Sequence, residues 1–197
     1  MPTIVVPFRG TNGKRRLAPL PDGARAALSV AMLADVLAAC TAVGETYVVT
    51  SDEDGARVAR ELEAIVVADP ANSQGAAVTA GLEHAGDGRV LIVNGDLPCA
   101  LPEDIRALDE ATPEAGLSYV PAQDGTTNAL GLSHARLFAP LYGPGSAERF
   151  RRHAETRGVP AECAAIPNLA ADVDALADLE RLGPRVGERT RAVLTQR

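Results

Sequence analysis

The chain has 197 residues, 46% hydrophobic and 23% charged, a globular composition with enough interior for a three-layer core, so a single domain over 1–197 is expected. With no Trp and only three Phe and three Tyr, rings for stacking on nucleobases are scarce and the core must be aliphatic. The net charge of −7 disfavours nucleic-acid backbones and anionic membranes, while small anions stay possible where backbone N–H groups, a few Lys or Arg and a metal meet their charge.

The opening Met-Pro-Thr-Ile-Val-Val-Pro has no charged leader before a long apolar stretch, and no eighteen apolar residues run together, so a cytoplasmic protein is expected. Residues 3–6 are a β-branched first strand, ended by Pro7. The segment that follows carries Gly10 and Gly13 with Arg9, Lys14, Arg15 and Arg16. It reads either as a phosphate loop, whose glycines turn backbone N–H groups toward an anion, or as a solvated basic turn. It does not match the Walker A spacing. Residues 24–39 have helical spacing, with Leu28, Met32, Leu33, Val36 and Leu37 as the apolar stripe. Residues 45–50 form a second strand, Ser51-Asp52-Glu53-Asp54 opens a helix to residue 62, and residues 64–68 form a third strand. Strand–helix alternation of this kind predicts right-handed crossovers and a largely parallel sheet.

After Asp69, the residues Asn72, Ser73, Gln74 and Gly75 lead into a helix over 76–85. They suit either hydrogen bonding to a base edge or a simple N-cap. Residues 90–93, Val-Leu-Ile-Val, look like a strand covered on both faces. It delivers Asn94, Gly95 and Asp96 to the carboxyl end of the sheet, where ligands bind in open α/β folds. Asp96 is either a catalytic carboxylate or a turn residue. Pro98 and Pro102 stop the strand and restart the chain as a helix over 103–111. Residues 115–121 and 128–133 form a hairpin with Asp124-Gly125 at its tip. The loop Leu141-Tyr142-Gly143-Pro144-Gly145-Ser146 enters a helix over 147–157, a plausible anion cradle that also resembles many surface loops. A short strand over 161–166 precedes Asp172-Val173-Asp174. In extended chain those two carboxylates face the same way and suit one cation, although Asp174 also suits an N-cap for the helix over 175–182. A last short helix and a basic end follow. Cys40, Cys99 and Cys163 are odd in number and scattered, and His84, His134 and His153 lack ligand spacing, so disulfide and zinc frameworks are excluded in favour of structural roles.

A Gly-basic loop after the first strand, an aspartate ending a central strand and a late Asp-x-Asp together suit nucleotidyl transfer. That chemistry needs carboxylates to hold a metal against phosphate oxygens, and donors to neutralise the leaving pyrophosphate. Five ordered motifs carry a resemblance over nearly the whole chain: Gly13-Lys14-Arg15-Arg16-Leu17, Gly95-Asp96-Leu97-Pro98, Gly125-Thr126-Thr127-Asn128-Ala129-Leu130, Tyr142-Gly143-Pro144-Gly145-Ser146 and Asp172-Val173-Asp174. They resemble the 2-phospho-L-lactate or phosphoenolpyruvate guanylyltransferases of coenzyme F-420 biosynthesis.

The resemblance implies an α/β, three-layer Rossmann-like fold of the nucleotide-diphospho-sugar transferase type, its sheet mostly parallel with an antiparallel portion. It implies GTP as donor and Mg2+ held by Asp96, Asp172 and Asp174. It further implies acceptor contacts at Thr127, Gly143 and Ser146, and triphosphate contact by Lys14 within the Gly10–Arg16 loop, with Lys14 and Asp96 as the catalytic pair. Two positions depart from the family pattern: Arg15 stands where a small hydroxyl residue is common, and Phe150 where a histidine is expected. An alanine- and arginine-rich, lysine-poor composition points to phosphoenolpyruvate ahead of 2-phospho-L-lactate as acceptor. The rival readings are a molybdenum-cofactor nucleotidyltransferase, whose Gly-Gly-x-Ser-x-Arg-Met-Gly start is missing here, and a noncatalytic nucleotide-binding partner of a later pathway enzyme. A homodimer, and handover of product to the next transferase, are the remaining expectations.

Overall fold

The computed structural model describes residues 1–10, 20–70, 73–86 and 88–195; Gly13, Lys14, Arg16 and Asn72 lie outside the described residues. The first half runs β1 (Thr3–Pro7), α1 (Asp22–Thr41), β2 (Glu45–Val49), α2 (Glu53–Glu61), β3 (Ile65–Val67), α3 (Gln74–Leu82) and β4 (Val90–Val93). The second half runs α4 (Pro102–Ala111), β5 (Leu117–Pro121), β6 (Thr127–Leu132), α5 (Ser146–Thr156), β7 (Ala161–Cys163), α6 (Leu176–Leu182) and α7 (Glu188–Thr195), with 3-10 turns at Ala135–Leu137 and Gly183–Arg185.

Alternation along the strands decides the layering, because successive side chains face opposite ways. Ile4 and Val6 of β1, with Leu91 and Val93 of β4, join one buried cluster with Leu33 and Val36 of α1, Val58 of α2 and Ile105 and Leu108 of α4. Val5, Val90 and Ile92 join the opposite cluster with Val78 of α3 and Phe150 of α5. Helices therefore cover both faces of the sheet. The predicted stripe of α1, Leu28 through Leu37, is wholly buried. By length and composition alone α1 also passes as a membrane-crossing helix, yet here it is the long core helix of one layer. α3 lies so close to the sheet that a Cβ on Gly81 would meet Val5 Cγ1 at 2.4 Å.

The sheet order is β3-β2-β1-β4-β6-β5-β7. β1 pairs parallel with β2 and β4, β2 with β3, and β5 with β7, whereas β6 runs antiparallel to β4 and β5. The expected mostly parallel sheet with an antiparallel portion is thus present. The antiparallel part is the β5–β6 hairpin, closed by Gly125 at φ 81° and by Asp124 Oδ1 accepting from Thr126 N at 2.9 Å. Chain order departs from β1 in both directions, toward β2 on one side and β4 on the other, so the carboxyl ends of β1 and β4 flank the switch-point crevice. β7 stops at Cys163, short of the expected residue 166. There the chain turns inward to bury Ile166 and Leu169, closing with Leu169 N donating to Ile166 O.

The C-terminal segment folds back on α1. Val173, Leu179, Leu182 and Val186 form a third buried cluster with Leu28, Met32 and Cys99. The buried Asp35 carboxylate of α1 caps α7 from outside that helix, accepting from Arg189 N at 3.1 Å and Thr190 N at 2.9 Å. Gly187 leaves room for it, since a Cβ there would sit 2.3 Å from Asp35 Cγ. Asp35→Ala is expected to cost about 1–2 kcal/mol, as loss of an N-cap does. Urea denaturation checks this, the midpoint falling at unchanged slope; an unchanged midpoint contradicts the capping role.

Candidate active site

A cleft of about 200 Å³ opens at the switch point, lined by Pro7, Phe8, Arg9 and Gly10 beyond β1, Asn94, Gly95 and Asp96 beyond β4, Ser29, Gln74 and Asp174. Gly10 is required by its geometry. Its φ is +72°, and a Cβ would lie 2.6 Å from Asp52 Oδ2, on the residue whose Oδ1 caps α2 through Gly55 N. A side chain at position 10 would therefore collide with the Asp52 cap of α2.

The acids meet through the backbone. Val173 N donates to Asp96 O at 3.1 Å, holding the Asp172-Val173-Asp174 segment beside the end of β4. Val173 itself is fully buried, so the two flanking aspartates turn the other way. Asp174 lines the cleft with Asp96. Asp172 is half-buried beside them; burial first, and then the Asp96 carboxylate, push its carboxyl above the usual range, opposed by Asn128 Nδ2 donating to it at 3.3 Å. Among the described residues no group of three His, Cys, Asp or Glu side chains stands ready to enclose a metal. The helix start after this segment is capped otherwise than expected. Asp178 Oδ2 accepts from Asp174 N at 3.0 Å and Ala175 N at 2.8 Å, leaving the Asp174 carboxylate to the cleft.

A chain of amides and hydroxyls runs across the strand ends. Gln74 Nε2 donates to Asn94 Oδ1 at 2.7 Å, and Asn94 Nδ2 donates to Thr127 O at 3.2 Å. Asn94 N donates to Asn128 O at 3.0 Å, and Ser146 Oγ donates to Thr127 Oγ1 at 3.0 Å. The glycine loop is drawn into this chain. Gly143 and Gly145 take φ of 109° and 69°, and Ser146 N donates to Gly143 O at 3.0 Å. Arg149, one turn into α5, folds back onto the loop carbonyls, donating from Nη2 to Leu141 O at 2.8 Å and Tyr142 O at 3.1 Å and from Nη1 to Pro144 O.

Of the sequence-assigned residues, Gly10, Gln74, Asp96 and Asp174 line one cleft. Thr127 and Ser146 are buried against each other, and Gly143 shapes the loop that leads into Ser146. Ser73 takes the N-cap role of the 72–75 segment, its Oγ accepting from Ala76 N at 3.2 Å, which frees Gln74 for the cleft. Gly75 is a packing glycine: a Cβ there would meet Pro140 Cβ at 2.6 Å. The sequence placed Asn94 at the ligand end of the sheet without giving its side chain a partner, and it gave Asn128 and Arg149 no role. Their signal was slight, an Asn ending a buried strand, an Asn starting one and an Arg in a charged helix. The three histidines have structural partners: His84 on Tyr47, His134 on Arg136, His153 on Leu137 O. Cys40 and Cys99 are buried and Cys163 is exposed, all as free thiols.

Comparison with known proteins identifies the family and the fold. Residues 2–188 match the family described as "Guanylyl transferase CofC like". The phosphoenolpyruvate guanylyltransferase of Conexibacter woesei is 37% identical over 96% of this chain and 92% of its own length. The 2-phospho-L-lactate guanylyltransferase of Halorubrum lacusprofundi is 34% identical over 91% of this chain and 82% of its own. Among solved structures, a protein of Desulfovibrio desulfuricans G20 described as a candidate nucleotide-diphospho-sugar transferase superposes with TM-score 0.77 at 17% identity, covering 100% of this chain and 95% of that one. CMP:2-keto-3-deoxy-manno-octonic acid synthetase, complexed with CTP, superposes with TM-score 0.64 at 13% identity over 100% of this chain and 99% of that one. The solved structures establish the fold, and the sequence matches, over nearly the full length of both partners, establish more: this chain belongs to the CofC-like guanylyltransferase family.

Proposed function

We propose that this guanylyltransferase transfers GMP from GTP to the phosphate of a three-carbon phospho-acid, phosphoenolpyruvate ahead of 2-phospho-L-lactate, in coenzyme F-420 biosynthesis. The observation that carries this reading is the Val173 N to Asp96 O bond, which sets the Asp-x-Asp pair beside the strand-end aspartate at the switch-point cleft. The acceptor's own phosphate oxygen supplies the electron pair for the new bond to the α-phosphorus. The bond from that phosphorus to the bridging oxygen breaks in line, and its electrons leave on pyrophosphate, so no protein nucleophile is needed.

The chain's part is to bring two anions together. Asp96 and Asp174 suit Mg2+, which takes one or two carboxylates and completes its shell with phosphate oxygens and water, so a ready-made three-acid cage is not required. Asp172, raised by burial and by the Asp96 charge, stands as the third acid of the set. An ion held by these carboxylates would supply neutralisation of phosphate charge. Arg9 at the cleft wall, with Lys14 and Arg16 of the loop that follows, meets the triphosphate charge. Thr127, Gly143 and Ser146 hold the phospho-acid end.

Arg149→Met is expected to raise the acceptor KM roughly tenfold with little change in the GTP KM. It frees three loop carbonyls and loosens the acceptor end alone, and one lost charge-assisted clamp is worth about 1.5–3 kcal/mol. Steady-state kinetics with each substrate varied in turn checks it; equal loss for both substrates contradicts the assignment. The acceptor itself is identified by pyrophosphate release with Mg2+ and GTP against phosphoenolpyruvate, 2-phospho-L-lactate and 3-phosphoglycerate in parallel. Highest kcat/KM with phosphoenolpyruvate supports the favoured acceptor, and release with none of the three removes the reading.

A further inference from the structure

Side-chain amides have two chemically opposite ends, and an amide that cannot flip presents a fixed polarity to a ligand. Asn94 cannot flip without loss. Its amide nitrogen faces Thr127 O at 3.2 Å, a backbone carbonyl that only accepts, so Nδ2 must stand there and Oδ1 must point the other way. Its backbone is held as well, through Asn94 N to Asn128 O at 3.0 Å. The fixed Oδ1 in turn accepts from Gln74 Nε2 at 2.7 Å, which turns the nitrogen end of the Gln74 amide toward β4. A flipped Gln74 would set two oxygens against each other at that distance. The backbone of β6 thus dictates, through Asn94, which way round Gln74 stands, and the oxygen Oε1 is left on the side away from β4. Gln74 is also the first residue of α3 and lines the cleft with Arg9, Asp96 and Asp174.

An acceptor oxygen in that position is wrong for phosphate, which offers only acceptors itself. It is right for a ring that offers N–H groups. Guanine presents N1–H and N2–H2 together, whereas adenine carries a lone pair at N1 and has no amino group at C2.

We infer that the Gln74–Asn94 amide pair is the guanine selector of this enzyme, with Gln74 Oε1 accepting from the purine N1–H and N2–H2 and Asn94 acting as the positioning residue that fixes its polarity. The inference rests on the guanylyltransferase reading for the identity of the nucleotide, and it is tested by binding, independently of turnover. A site built to pair with ring N–H groups rejects a base that meets its acceptor with another acceptor, because both are left desolvated and unpaired.

The experiment is calorimetric titration of GTP, ITP and ATP, with magnesium, into wild type, Gln74→Met and Asn94→Ala, each shown to be folded by its thermal transition. Wild type is expected to bind GTP at least tenfold tighter than ATP, with ITP, which keeps N1–H and lacks the 2-amino group, between them. Gln74→Met is expected to weaken GTP about tenfold while leaving ATP unchanged, so that the ratio collapses. Asn94→Ala is expected to reduce the same ratio although Gln74 is intact, an effect that a merely structural role would not produce, since general damage weakens all three nucleotides in parallel. Wild type that does not distinguish GTP from ATP, or variants that weaken the three equally, overturns the selector. Failure of the guanylyltransferase reading shows separately, as absent acceptor-dependent pyrophosphate release by wild type.

Discussion

Asp96→Asn is expected to lower turnover by at least about a hundredfold while leaving the protein folded. The size follows from removing a full charge at the point where phosphoryl charge must be neutralised, where loss of a single preorganised stabilising group already costs about 10²–10³ in rate. Folding is spared for two reasons. The contact that orders the acidic segment uses the Asp96 backbone carbonyl, accepting from Val173 N, and the substitution leaves it in place. The Asp96 carboxylate also adds, after burial, to what raises Asp172, so neutralising it relieves that repulsion in the folded state. The thermal midpoint of Asp96→Asn at neutral pH is therefore expected to stay close to that of wild type. A folded variant with unchanged kcat/KM would remove Asp96 from the reaction centre, and an unfolded one would refute the assignment of its structural contact to the backbone.

Phe150→Ala should give the largest loss of stability, roughly 3–5 kcal/mol, or about 6–20 °C in a domain of this size. Phe150 is fully buried and among the largest such side chains in the protein. Its ring meets Tyr142 edge-on at 5.5 Å and 71°, in the cluster that also holds Tyr119, Leu130 and Leu132. Truncation leaves a cavity beneath the loop that Arg149 clamps, so the acceptor KM is expected to rise with the loss of stability. The burial also accounts for the missing histidine at this position: an imidazole N–H there would enter an apolar cluster and need a partner. Phe150→Leu, which keeps most of the volume, should recover most of the thermal midpoint. Equal midpoints for Phe150→Ala and wild type would contradict the packing role.

Much of the fold was legible because strand alternation and strand–helix order are local signals. Ile4, Val5 and Val6 divide between the two clusters as a strand buried on both faces must. The acids were legible for the same reason: Val173 is buried and Asp174 reaches the cleft because extended chain alternates. What binds the site together was not legible. The Gln74–Asn94 bond spans 20 residues of chain, Asn94 to Thr127 spans 33 and Asn128 to Asp172 spans 44, and no period in the sequence reports such pairings. Gly75 has a packing role that no local pattern reports, since Pro140 fills the space its missing side chain leaves. Asp174 likewise looks like a helix cap in one dimension, until Asp178 is seen to accept both backbone N–H groups. Arg149 is hidden among the arginines of α5, and only the return of the loop over its guanidinium separates it from Arg151, which pairs with Glu148 on the solvent face.

The central claim is transfer of a guanylyl group to a phosphate oxygen, and 31P NMR of the reaction mixture tests it most directly. With GTP, Mg2+, phosphoenolpyruvate and the enzyme, the account predicts loss of the GTP α-phosphorus resonance. In its place should appear two coupled phosphorus resonances of a new phosphoanhydride joining GMP to the acceptor, with pyrophosphate in equal amount. Release of GMP and pyrophosphate without a coupled acceptor resonance, or of GDP and phosphate, would contradict it.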